Sequence, residues 1–196
     1  MGKRSKILEA AEKLLAERGF YGLSMKVLAK TAGIAAGTIY RYFDSKEMLM
    51  LELHQHIRLE ASQTIFSGWS ELQDPKEKYD LLWRNAFNAV LKNPQRLAVI
   101  EMLCFIPNGD QETITLFEDQ TFLPLLDFYQ KGINEKHFHD LPIPALLALS
   151  FDSAINLAKK VLKQRLQLDE QVLTTVRDAS WQIIQHPHKI QQHINY

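Results

Sequence analysis

Between residues 24 and 46 the sequence gathers side chains that bond well to oxygen-rich and nitrogen-rich partners: Ser24, Lys26, Thr38, Tyr40, Arg41, Tyr42 and Lys46, with the small Ala36 and Gly37 among them. An arginine can pair in bidentate fashion with the O6 and N7 of a guanine, and a threonine hydroxyl reaches either kind of base edge. Ammonium, hydroxyl and phenol groups suit phosphate oxygens. Thr38 and Arg41 are therefore candidates for reading base edges, and Ser24, Lys26, Tyr40, Tyr42 and Lys46 for holding a phosphate backbone. Ala36 and Gly37 would let the main chain come close or meet a thymine methyl. Free amides at the start of a helix after Ser24 would add to the pull on an anion.

To act together these groups must be held by two short helices that cross closely, with the second free to enter a groove ~12 Å wide. Ser24 is a suitable N-cap for a helix running to about Thr31, and Leu23 and Leu28 are spaced to staple its entry. Ala29 is small where the helices would touch, Gly33 can take the positive φ of a sharp turn, and Ile39 would face back to seal the pair. A helix over 36–43 then carries the outward groups. An earlier helix from Lys6 carries Ile7, Leu8, Ala11, Leu14 and Leu15 at helical spacing and stops at Gly19. A later one begins after Asp44, which can cap it with Glu47 reaching back, and runs to about Phe66.

Charge is distributed accordingly. The whole chain of 196 residues is neutral, yet residues 1–47 hold nine Lys or Arg against five acids, a net of +4 that leaves −4 on the remainder. A basic head on an acidic body presents one end to phosphate.

Residues 3–52 resemble the TetR family of bacterial regulators, in the string Ala29-x3-Gly33-Ile34-x2-Gly37-Thr38-Ile39-Tyr40-Arg41-Tyr42-Phe43-x2-Lys46-Glu47-x-Leu49 and in the Arg18-Gly19-Phe20 hinge. The resemblance implies an all-α protein. Its N-terminal three-helix helix-turn-helix head is joined by a fourth helix to a larger helical-bundle body that dimerises and encloses a small-molecule ligand. The expected domains are 1–47 for DNA binding and 48–196 for effector binding and dimerisation. One departure is Ala35-Ala36, where the family commonly has Ser or Thr followed by a polar or basic residue. Alanine caps poorly, which moves the reading of sequence onto Thr38 and Arg41.

Beyond Gly68, turn signals separate helical patterns over 75–92, 95–105, 111–133, 143–165 and 169–186, and no stretch alternates as a strand would. The last two patterns carry more apolar surface than one side of a helix needs. They can be ordinary core, or they can pair across a two-fold axis, as the resemblance implies for a homodimer. Trp69, Trp83, Phe87, Met102, Phe105, Phe117, Phe122 and Phe128 are likewise either core or the lining of an apolar cavity. Scarce charge among them favours a hydrophobic or amphipathic effector, such as a fatty-acyl compound or a drug.

The expected function is that of a ligand-responsive regulator, a repressor that holds a palindromic operator in double-stranded DNA as a dimer and releases it when effector binds. Two other readings are a helical protein-interaction adaptor and a nonspecific DNA-binding protein without a small-molecule ligand. No Ser-His-Asp order, phosphate loop or Glu-x-x-His pair is present, so no catalytic residue, enzymatic activity or cofactor is expected.

Cys104 is the only cysteine, and His54 with His56 and His137 with His139 are i,i+2 pairs that diverge on a helix. His186, His188 and His193 belong to a polar tail. No metal site is expected from any of them. The apolar runs are too short for a membrane span, and the start lacks the pattern of a signal peptide, so a cytoplasmic protein with no membrane partner is expected.

Overall fold

The computed structural model describes residues 2–70, 73–104, 106 and 111–186. These are almost entirely helical: α1 (Lys3–Gly22), α2 (Met25–Ala32), α3 (Ala36–Ile39), α4 (Lys46–Ile65), α5 (Pro75–Lys92), α6 (Pro94–Leu103), α7 (Gln111–Thr121), α8 (Leu123–Asn134), α9 (Ile143–Leu149), α10 (Phe151–Leu162) and α11 (Glu170–Gln182). Among the described residues the only extended pairing is an isolated bridge between Phe138 and Gln185. None of their helices is long and apolar enough to cross a membrane. The chain divides into two compact units, residues 1–61 with 95–121 and residues 62–94 with 122–196.

In the first unit, Ile7, Ala11, Leu14 and Leu15 of α1 meet Leu28 and Ala29 of α2, Ile39 of α3, Phe43, and Leu49, Leu53 and Ile57 of α4. Val99, Leu103, Ile106 and Ile114, from α6, its end and α7, join the same cluster. A unit of some 60 residues buries too little surface to be very stable alone, and the returning segment enlarges its core. Arg96 secures it, donating from Nε and Nη2 to the two carboxylate oxygens of Glu12 at 2.8 and 3.0 Å and from Nη1 to Glu60 at 2.6 Å. The expected boundary after residue 47 follows the order of the chain, whereas this packing groups 95–121 with the N-terminal helices.

The second unit is built on α5 and α10, with α8, α9 and α11 around them. Asp74 and Glu77 form a reciprocal capping box at the start of α5. Its core is aromatic and hydroxyl-bearing. Tyr79 bonds Ser180 at 2.7 Å, Tyr129 bonds Ser150 at 2.8 Å, and Trp83 donates its indole N–H to Ser153 at 2.8 Å. Burial pushes both phenols well above the ordinary tyrosine value of 10.0.

Four sequence expectations need correction. The helix expected over 143–165 is broken at Ser150, whose hydroxyl donates back to the Leu146 carbonyl at 2.5 Å and whose backbone turns to φ −123°, ψ −81°. The helix expected over 111–133 breaks at Phe122, ahead of Pro124, whose ring and missing N–H oppose a continuous helix. The α-helix at 36–43 ends at Ile39, and the chain continues in tighter turns closed by Arg41 N–H to Thr38 O and Tyr42 N–H to Ile39 O. The side chain that caps α4 is Ser45, whose hydroxyl accepts from Met48 N–H at 3.1 Å, and not Asp44.

Candidate nucleic-acid interface

The scaffold of the helix-turn-helix forms as its residues require. Ser24 accepts the Val27 N–H at 3.3 Å, and Leu23 and Leu28 are buried beside it. Gly33 ends α2 at φ +67°, ψ +34°, a left-handed conformation that costs a residue with a Cβ more than glycine. The following Ile34 N–H reaches back to Ala29 O at 3.0 Å, completing the α2 terminus in a Schellman pattern. Ala29 and Ile39 are buried at the contact of the two helices. Gly19 also takes φ +67°, and it bends α1 where the sequence signalled a stop.

On this scaffold Ser24, Lys26, Ala36, Gly37, Tyr40, Arg41 and Tyr42 are all exposed, and Thr38 is half-buried. Ala35 precedes α3 without any side-chain cap, which leaves the α3 terminus unsupported by a hydroxyl or carboxylate. Lys46 stands apart from the other candidates. It is half-buried, donates to the Phe20 carbonyl at 2.9 Å and lies 4.2 Å from the centre of the Phe20 ring, so it braces the α1 hinge from within the unit. Arg4, which the sequence did not single out, is similarly engaged, pairing with Glu52 and lying over the Phe43 ring at 5.4 Å. Tyr21, beyond the Gly19 bend, is 95% exposed, and no motif pointed to it.

The residues expected to line an effector cavity are divided. Met102 and Phe117 belong to the first unit, and Phe105 lies outside the described residues. In the second unit Trp83 and Phe87 are buried and stacked on each other, with rings 5.9 Å apart and 5° from parallel, so they are core. Phe122 is buried against Phe66, and Trp69 meets Phe128 edge-on at 6.2 Å. A cleft of about 460 Å³ lies beside that last pair. Of the candidates only Trp69 and Phe128 line it, together with Leu123, Phe138, Lys78, Asp127, Lys131, Glu135 and His137. The expected scarcity of charge does not hold there, because the turn after α8 brings polar side chains to the same cleft as the aromatic rings.

A further cluster lies within the first unit. His54 is fully buried, with Nε2 3.0 Å from Glu118 Oε1, and donor atoms of His54, Cys104 and Glu118 all lie within 4.8 Å of one another. The His54 bond, aided by the guanidinium of Arg58, holds the Glu118 carboxyl below the usual glutamate range. Burial, and then the charge of Glu118, pushes the Cys104 thiol up. His56 instead faces Glu60 at 3.4 Å, which is the divergence its spacing implied.

The helical described residues, with an exposed α3 face on a Gly33-turned helix pair, have the geometry of a helix-turn-helix protein. Residues 7–53 match the family model of bacterial regulatory proteins of the tetR family, and residues 75–185 match that of a tetracyclin repressor-like C-terminal domain. The chain belongs to the TetR family of transcriptional regulators. It is 28% identical to an HTH-type transcriptional regulator of Haemophilus influenzae over 91% of this chain and 94% of that one. A solved TetR-family regulator from Vibrio parahaemolyticus shares 34% identity with a TM-score of 0.85, covering 94% of this chain and 99% of its own. The fatty acid metabolism regulator protein of Bacillus subtilis is 31% identical over 101 residues, 52% of each chain. A crystal structure of FadR from Bacillus subtilis in complex with stearoyl-CoA has the same fold, with a TM-score of 0.71 at 21% identity over 92% of this chain and 98% of that one.

Proposed function

We propose that this regulator is a repressor that grips a palindromic operator as a homodimer and lets go when an amphipathic acyl compound binds its second unit. The observation that carries the DNA half is the outward set Ala36, Gly37, Tyr40, Arg41 and Tyr42, exposed around a helix whose inner residue Ile39 is fully buried. Thr38 and Arg41 read base edges, while Ser24, Lys26, Tyr40 and Tyr42 hold phosphates and Lys46 supports them from the hinge. DNA contact is assigned to residues 1–47, and effector binding and dimerisation to 48–196, in the cytoplasm.

The effector half is supported by the cleft of about 460 Å³, a size within the range of small-molecule sites. Trp69, Phe128 and Phe138 offer an apolar wall for a chain, and Lys78 and Lys131 offer cations for an anionic head. The likeness to a fatty acid metabolism regulator, and to a fold solved with stearoyl-CoA, supports the same ligand class. Release follows from linkage: a ligand that favours a spacing of the two heads other than the ~34–36 Å between successive major grooves weakens DNA binding.

Selection of duplexes from a random pool by the full-length protein tests the reading. An inverted repeat with half-sites one helical turn apart is expected, and saturating stearoyl-CoA should weaken it by the ~1–3 kcal/mol typical of such coupling. Selected sites without two-fold symmetry would remove the dimer. Affinity unchanged across a series of acyl-CoA chain lengths would remove the acyl effector.

A further inference from the structure

We propose that His54, Cys104 and Glu118 form a binding site for one zinc-class divalent cation within the first unit. The three residues come from α4, from the end of α6 and from α7, so only the packing of these elements assembles them. Their donor atoms lie within 4.8 Å of one another. Tetrahedral zinc with nitrogen, sulfur and oxygen ligands separates its donors by about 3.3–3.8 Å, so a closure of about 1 Å, within reach of side-chain rotation, completes the set.

The chemistry of the donors selects the ion. An imidazole, a thiolate and a carboxylate suit zinc and its borderline neighbours, whereas magnesium and calcium take oxygen ligands alone. With three protein donors, a fourth position stays open to water or an exogenous ligand. On binding, the Cys104 S–H proton leaves to solvent as the sulfur–metal bond forms, with no change of oxidation state.

Packing alone does not account for a histidine at this place. His54 is the one buried polar side chain among the described residues of the first unit, which is otherwise aliphatic and aromatic inside. Its Nε2 faces the Glu118 carboxylate at 3.0 Å, and binding the ion exchanges that hydrogen bond for two bonds to the metal. Arg58, whose Nε is 3.1 Å from Glu118 Oε1, does not oppose the cation. A thiolate and a carboxylate neutralise a divalent ion between them, and a carboxylate can serve the guanidinium with one oxygen and the metal with the other.

The test uses the full-length protein titrated with zinc in competition with a chromophoric chelator, and separately with cobalt(II) as a spectroscopic substitute. One ion per chain is expected, with a sulfur-to-cobalt charge-transfer band and tetrahedral d–d bands. Cys104→Ala, at a half-buried position, should abolish the charge-transfer band. It and Glu118→Gln should each weaken zinc binding by more than the roughly 10- to 100-fold that losing an outer-shell partner of a ligand can cost. His54→Gln should do the same, with circular dichroism and thermal melting to confirm that it folds. His56→Gln and His186→Gln should bind zinc as the parent does. Absence of saturable binding in the parent protein overturns the proposal whatever the variants do. So does stoichiometric binding that survives Cys104→Ala with the cobalt spectrum unchanged.

Discussion

The first unit keeps its candidate recognition residues on the outside and its core almost free of polar atoms, whereas the second buries hydroxyls and an indole at its centre. In the first, Arg41, Tyr40 and Lys26 are exposed while Leu28, Ile39 and Leu53 hold the fold. In the second, Trp83 and Phe87, which the sequence offered as effector contacts, are buried core and do not line the cleft. Most candidate binding residues of the first unit lie outside its core, Ser24 and Lys46 being the exceptions, whereas most aromatic candidates of the second unit are part of its core. Substitutions at the exposed Arg41 and Lys26 separate DNA binding from stability, whereas Ser24 and Lys46 also support the fold, and most aromatic substitutions in the body confound ligand loss with unfolding. Trp69 and Phe128, half-buried beside the cleft, are the positions where the two effects separate.

The largest expected effect lies in the second unit. Trp83→Ala should cost about 3–5 kcal/mol in chemical denaturation, the range for a buried tryptophan. A loss below about 1 kcal/mol would show that the stacked Trp83–Phe87 pair is not core and would blur the contrast. Next is Arg41→Ala, which should relax discrimination at one operator position by ~1–3 kcal/mol while leaving the melting temperature unchanged. Equal losses against every operator variant would mean that Arg41 holds phosphate. Lys26→Ala should lower the slope of log affinity against log salt by about one unit without altering preference, as a single phosphate contact does. Lys46→Ala, by contrast, should lower stability as well as affinity, because Lys46 braces the Phe20 hinge. Ser24→Ala should destabilise the first unit by ~1 kcal/mol through the lost cap on Val27.

The smallest effect at ordinary pH is the alkaline response of the second unit. Tyr79 and Tyr129 have folded-state pKa values above their unfolded values. Their contribution to stability is therefore fully present below the unfolded tyrosine pKa of about 10 and is lost as pH rises above it toward the folded values. Denaturation at pH 8 and pH 11 should show the second unit weakening, and tyrosinate absorbance should show Tyr79 and Tyr129 ionising only on unfolding. Full ionisation before unfolding would mean that these hydroxyls are not buried.

Much of the DNA-binding head was legible beforehand because its signals are local. A serine before a helix, a glycine at φ +67° and an apolar residue six positions on each act within one or two turns. The breaks at Ser150 and Phe122 were missed because both flanking segments keep a helical apolar pattern, and periodicity does not register a hydroxyl turned back on its own helix or a proline near a helix start. The mixed lining of the cleft was missed for another reason. Charged residues near Glu135 and aromatic residues near Trp69 are far apart in sequence, and only the packing of the second unit places them on one wall.

By itself the sequence determined the class: the all-helical pattern, the helix-turn-helix scaffold of Ala29, Gly33 and Ile39, and the basic head, because each rests on propensity, capping or composition along a short stretch. Tertiary structure alone decided which aromatic residues are core and which line a cleft. It also turned Lys46 inward to the hinge, added residues 95–121 to the first core, and brought His54, Cys104 and Glu118 together. Those outcomes depend on contacts between residues well apart in sequence, 26 positions for Lys46 and Phe20 and 64 for His54 and Glu118, where burial and shape, not local preference, set the result.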